Sequence, residues 1–318
     1  MNDLYEMKTL ALLLMGLVFL SFLESVSASS LNGFNISEDA LVPVEEIHSG
    51  GPPRDGIPSI DAPRFIAATA ADDIRPQDRV LGLRRGNLAK AYPIAILNWH
   101  EIVNDRFEQE PVVVTYCPLC GSGVAYTALL DGQEVNFGVS GLLYNSDVLL
   151  YDRQTESLWS QILATAISGP MKGTRLDMLP LKHTTWAEWR SEHPDTLVLS
   201  RETGFSRDYG RDPYAGYQNS KGIWFPVAAK DPRYHPKERV VGLELEGRFK
   251  AYPLAELSKT GEEIIKDRFN GRDLRIRYRP NGQSATVTGS DGAEIPAITS
   301  FWFAWYAFHP ETEVYQAP

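Results

Sequence analysis

Two cysteines in 318 residues are too few for a disulfide framework, so a packed core must hold the fold. Positive charge is also scarce. Lys and Arg number 31 against 41 Asp and Glu, the formal net charge is −10, and no basic cluster occurs. That balance argues against nucleic acid and anionic membrane surfaces as partners. Past residue 28 no apolar run approaches the ~20 residues of a membrane-spanning helix. A phosphate loop, a dinucleotide fingerprint, a serine nucleophile elbow and a haem-attaching Cys-x-x-Cys-His are missing too. What remains is a chain that is 43% hydrophobic and long enough for roughly two domains.

The first residues read as an export signal. Lys8 precedes an almost wholly apolar run, Thr9 to Leu23, and Val26-Ser27-Ala28 offers a small-x-small cleavage site. Asp3 and Glu6 do not suit a basic leader, which points to translation from Met7. An uncleaved anchor is the competing reading, but the apolar run of ~15 residues is short for a span. The expectation is a signal peptide over 1–28 and a mature protein that is periplasmic or extracellular, with no membrane span. Residues 29–56, rich in Ser, Gly and Pro, read as a flexible arm. Residues 64–71 read as a short helix.

The strongest organisational signal is internal. Residues 79–97 and 239–257 agree at ten of nineteen positions, among them Gly82/Gly242 and Ala91-Tyr92-Pro93/Ala251-Tyr252-Pro253. After a two-residue slip Asp105-Arg106-Phe107 matches Asp267-Arg268-Phe269 and Tyr116 matches Tyr278. Asp131-Gly132 and Thr155-Glu156 align with Asp291-Gly292 and Thr312-Glu313. The reading is an α+β, β-rich fold with two tandem copies of a strand-strand-helix-strand-hairpin unit. The first copy covers 57–165 and the second 239–318, joined by a mixed helix and loop segment over 166–238. That segment contains an amphipathic helix, Thr184 to His193, capped by Thr184 or Thr185.

The cysteines lie in Tyr116-Cys117-Pro118-Leu119-Cys120-Gly121-Ser122, between an apolar run that reads as a buried strand and a second strand. A tight turn is expected there, with Gly121 relaxing the backbone. The second copy has Arg279-Pro280-Asn281-Gly282-Gln283-Ser284 in its place. The turn therefore closes without sulfur, which points to chemistry rather than architecture.

Three readings of Cys117 and Cys120 stand side by side. A disulfide would close a very small loop and stabilise little. A cycling dithiol would use one thiol of lowered pKa, although no helix follows to lower it. A metal half-site would need further ligands. His100, absent from the second copy, is the candidate third partner, as proton donor or ligand. Glu101, Tyr116, Ser122, Asn145 and Asp147 are candidate supporting residues. Asn145 and Asp147 align with Trp305 and Ala307 in the second copy.

Asn98-Trp99-His100-Glu101-Ile102-Val103-Asn104-Asp105, the cysteine turn, Leu143-Tyr144-Asn145-Ser146-Asp147 and the stretch from Tyr151 to Gln161 together resemble a bacterial and archaeal family catalogued as domain of unknown function 3179. The resemblance spans residues 54–316 and carries no established activity. Some members are labelled selenoproteins, which implies redox or soft-metal chemistry at the cysteine turn. The leading expectation is thiol-based redox activity without a cofactor, served by a redox partner protein. The alternatives are a module holding Cu or Zn through Cys117, Cys120 and His100, and a non-catalytic interaction protein.

Overall fold

The computed structural model describes residues 28–318. The leader expected over 1–28 lies outside the described residues apart from Ala28. In chain order the main elements begin with β1 (Phe34–Ser37), β2 (Ile47–Ser49), β3 (Arg79–Arg85), β4 (Leu88–Pro93), α1 (Ile94–His100), β5 (Ile102–Phe107), β6 (Glu110–Cys117) and β7 (Ser122–Thr127). Then come β8 (Phe137–Tyr144), β9 (Asp147–Asp152), β10 (Leu158–Ser160), β11 (Thr165–Ser168), β12 (Leu181–Thr185), α2 (Trp186–Glu192) and β13 (Leu197–Leu199). The last third holds β14 (Arg239–Leu245), β15 (Arg248–Pro253), α3 (Leu254–Lys259), β16 (Ile264–Phe269), β17 (Arg272–Arg279), β18 (Ser284–Gly289), β19 (Ile298–Phe301), α4 (Trp302–Phe308) and β20 (Glu313–Val314). The protein is β-rich with a few short helices, and no helix among the described residues is long and apolar enough to cross a membrane.

The 79–127 and 239–289 stretches share element order and register. Val80 pairs with Pro93 and Gly82 with Ala91, as Val240 pairs with Pro253 and Gly242 with Ala251. Each proline ends its strand and starts a helix, where a missing N–H costs nothing. Buried Lys90 meets Asp105 at 2.8 Å, and Lys250 meets Asp267 at 2.6 Å. The tyrosine after each lysine also reaches that aspartate, Tyr92 at 2.6 Å and Tyr252 at 2.8 Å.

The likeness continues where the sequence reading had placed a connecting segment. β12 pairs antiparallel with β3 and β13 parallel with β4, just as β19 pairs with β14 and β20 with β15. Trp189 fills the space over Gly82 and donates to Thr196, and Trp305 does the same over Gly242 and to Thr312. Residues 181–199 thus occupy the position of 298–314. The counterpart of Trp305 is Trp189, not Asn145, and of Ala307 is Ser191, not Asp147. β8–β11 have no counterpart after β18. They form a separate sheet in the order β11-β10-β9-β8-β2.

The stretches are also interlocked. One sheet runs β20-β15-β14-β19-β7-β6-β5, so the cysteine-bearing hairpin joins the C-terminal strands through Thr299 and Gly123. Two local expectations are corrected. The 29–56 segment is no flexible arm, because Phe34, Ile36, Val42 and Ile47 are buried against Leu142, Leu149 and Ile167. Its apolar runs are too short to show a period, yet β2 completes a sheet. Residues 64–71 form a strand, Phe65–Ala67, and one 3-10 turn rather than a helix. The helix read over 184–193 is present as α2, with Thr185 at its N-terminus but no side-chain cap.

Candidate thiol–carboxylate site

β6 delivers Cys117 at its last residue, and the turn Pro118–Gly121 returns the chain into β7. Gly121 has φ +58°, and a Cβ there would lie 2.8 Å from the Phe301 ring. Only glycine meets both conditions. The Cys120 carbonyl accepts the Phe301 N–H at 2.8 Å, pinning the turn to β19. Both thiols are free and almost fully buried.

The second half of the site comes from the β8–β9 hairpin. Its two-residue turn, Asn145-Ser146, has φ of 50° and 66°, the mirror-image turn that suits the twist of paired strands. Asparagine tolerates this backbone; serine does so at some cost. The Asn145 side chain donates to Ala307 O at 3.2 Å and accepts from Ala228 N at 2.8 Å. The turn is thereby clamped between α4 and the long 200–238 loop. It aims the Ser146 carbonyl at Cys120 Sγ (3.3 Å) and Cys117 Sγ (3.9 Å). Next in line, the Asp147 carboxylate closes a group of three. A ligand atom from each of Cys117, Cys120 and Asp147 lies within 4.8 Å of the other two.

Electrostatically the cluster is an acid site to which, among the described residues, no cationic side chain is bonded. Burial raises the Asp147 pKa to about 7, although Ile162 N donates to it at 3.2 Å. Burial, then the neighbouring Asp147, raises Glu101 to about 8. Burial likewise pushes the Cys117 thiol up and the Cys120 thiol well up. The amine that responds to Cys120 is Lys237, itself lowered to about 8 by burial and held by Gly222 O at 2.7 Å. Both thiols and both carboxyls therefore favour their neutral forms unless positive charge arrives.

A family profile described as a protein of unknown function (DUF3179) matches residues 54–294. The chain belongs to that family. No curated protein and no solved structure matches it.

The remaining candidates fall around this cluster or away from it. Ser122 Oγ lies 3.5 Å from Asp147 and 2.5 Å from Gln161 Oε1, while Gln161 Nε2 donates to Thr115 at 2.9 Å. This network fixes the wall behind Asp147. Glu101 caps α1 with φ 58°, and its carbonyl accepts Tyr116 N–H. Tyr116 feels Arg79 and Arg239 and lines a neighbouring cavity. His100 is not part of the cluster. Its Nδ1 sits 2.8 Å from Pro58 O and its Nε2 2.7 Å from Tyr209 Oη. Both nitrogens are taken, because the end of α1 turns the ring toward the 57–60 segment and the 200–238 loop. Sequence reasoning passed over Ser146, Gln161 and Lys237. The first two lie inside the recognised motifs, but nothing in their residue type sets them apart.

Proposed function

We propose that Cys117, Cys120 and Asp147 form a metal centre and that zinc is the ion it suits. The observation that carries this reading is the convergence of two free thiols and a carboxyl in a buried pocket where, among the described residues, no cationic side chain is bonded to any of the three. A divalent ion would supply that charge and favour the ionised form of all three donors. The set of two thiolates and a carboxylate fits borderline Zn(II) better than Cu(I), which prefers sulfur throughout. His100, the ligand expected from sequence, is replaced in this role by Asp147. Bound zinc would supply Lewis acidity or structural cross-linking. The Ser146 carbonyl, Ser122 and Gln161 would orient the donors.

The test is elemental analysis of protein purified without chelators. About one zinc per chain is the expected result, lost in Cys120→Ser and weakened at least ~10-fold in Asp147→Asn. Protein that carries only trace metal and takes up neither Zn(II) nor Cu(I) would end the proposal.

A second reading has its own support. Asp147, near pKa 7 beside two thiols, is matched to accept a proton during thiol oxidation. Cys117 and Cys120 would then form a disulfide, releasing two protons and passing two electrons to a small oxidant such as a quinone. Burial of both sulfurs argues against direct exchange with a partner protein. Alkylation followed by mass measurement across a redox titration tests it; a pair that stays reduced throughout removes it. We further propose that the protein is exported to the periplasm or cell exterior and is built from two copies of one unit. On that view β8–β11 are an insertion in the first copy, and they bring in Asp147.

A further inference from the structure

Beside the cysteine turn lies a cavity of about 540 Å³, lined among others by Arg79, Arg239, Tyr116, His183, Tyr214 and Tyr217. We propose that this cavity binds a small organic oxyanion, a carboxylate or a phosphate ester, through Arg79 and Arg239. The inference does not rest on the metal reading.

The two arginines come from the same position of the two matching stretches, at the start of β3 and of β14. Among the described residues neither guanidinium forms an ion pair. Arg79 spends its Nη atoms on backbone carbonyls, Nη2 reaching His183 O at 2.9 Å and Nη1 reaching Gly282 O, and its Nε has no partner. Arg239 reaches only the neutral amide of Gln283, at 3.2 Å. Carbonyls and amides satisfy N–H groups but leave the charge uncompensated.

Glu188 and Glu238 offset part of the Arg79 and Arg239 charge through space, but neither forms an ion pair with them. Glu188 is held by Lys182 at 2.5 Å and Ser284 at 2.9 Å, and Glu238 accepts Ala255 N at 2.8 Å. At the cavity wall Asp78 is paired with Arg75 and Asp73 with Arg201, while Asp212 accepts from two neutral donors, the Asn98 amide and Tyr214 N. Burial, then Arg239, drives the Arg79 pKa down to about 9, a cost that a bound anion would remove.

A second observation points to a ligand independently. His183 is only 4% exposed and neither ring nitrogen has a partner. Its ring meets Tyr116 edge-on at 6.0 Å. A buried imidazole without hydrogen bonds is uncommon, and here it lines the same cavity as both arginines. Tyr116, raised to about 12 by burial, faces the two guanidinium groups as well. Two cationic forks, an imidazole N–H and a phenol at one end, with Tyr214, Tyr217 and Phe301 as walls, suit an anionic head on a compact organic body.

The test is calorimetric titration of the protein with phenyl phosphate, inorganic phosphate, benzoate and succinate, against sodium chloride at matched ionic strength. At least one phosphate or carboxylate probe is expected to bind, and which class wins identifies the head group. Arg239→Gln should weaken that probe at least about tenfold without lowering the melting temperature of the free protein. Arg239→Lys should recover part of the affinity, because charge returns without the planar fork. Arg201→Gln, at the outer wall and already paired, should change affinity less than about twofold. Binding of no probe beyond the chloride control overturns the proposal. So does affinity that survives both Arg239→Gln and Arg79→Gln.

Discussion

Ser146 sits in a left-handed backbone with φ 66°, and its buried hydroxyl has no partner. Either feature alone costs on the order of 1 kcal/mol or more. Their coincidence at the tip facing both sulfurs is the kind of local strain found at functional sites. Glycine would adopt the same turn freely and leave the carbonyl in place. Ser146→Gly is therefore expected to stabilise the fold by about 1 kcal/mol in urea denaturation, after the entropy it adds to the unfolded chain. Zinc affinity should be unchanged if the carbonyl alone faces the thiols; a weaker affinity would make the hydroxyl a ligand. At this scale the sequence was half legible. The cysteine turn and its glycine were readable, since Gly121 follows from turn chemistry. The partner was not. Asp147 and His100 both stood out as residue types, but sequence distance carries no direction, and only the α1 end geometry shows the imidazole spent on Pro58 and Tyr209.

At the scale of elements, the two matching stretches share a glycine that faces a tryptophan. A Cβ on Gly82 would lie 2.2 Å from Trp189, and one on Gly242 would lie 2.1 Å from Trp305. Neither ring can retreat without breaking its hydrogen bond to Thr196 or Thr312. Gly82→Ala and Gly242→Ala should each cost about 3 kcal/mol by overpacking, read as a shift in the denaturation midpoint. Equal losses would mean the two stretches are mechanically alike; a negligible loss at Gly242 would show that α4 packs more loosely than α2. The same elements explain why the matching positions after residue 165 are hard to find in the sequence. Trp186, Trp189, His193, Pro194 and Thr196 match Trp302, Trp305, His309, Pro310 and Thr312. That match has a different offset from the one at residues 79–97, because β8–β11 intervene in the first stretch alone. A search at one constant offset loses it and pairs Asn145 and Asp147 with residues they do not resemble in space.

For the whole molecule, four buried groups shape the pH dependence in opposite senses. Burial, then Arg175, lowers His309 to about 3, and burial with Arg79 and Arg239 places His183 well below its usual range. Below the ordinary imidazole value of ~6.5 the unfolded chain takes protons that these rings refuse. Their stabilisation is complete above that value and is lost as pH falls below it, down to about 3 for His309. Asp147 and Glu101 are raised to about 7 and about 8, so the folded chain keeps protons that the unfolded chain releases from pH ~4 upward. Their contribution is complete below ~4 and is lost as pH rises through 7 to 8. Between ~4 and ~6.5 the two slopes oppose each other. Urea midpoints of the metal-free protein should therefore form a plateau there and fall on both sides, by a few kcal/mol across each limb. Asp147→Asn should flatten the alkaline limb, and His309→Phe, which preserves the stack on Phe249 at 3.9 Å, should shallow the acid one. Saturating zinc should make the alkaline limb shallower in the wild-type chain, because the ion takes the place of the protons on Asp147 and both thiols and leaves the part due to Glu101. An alkaline limb as steep with zinc bound as without it would place the ion elsewhere than at the cysteine turn.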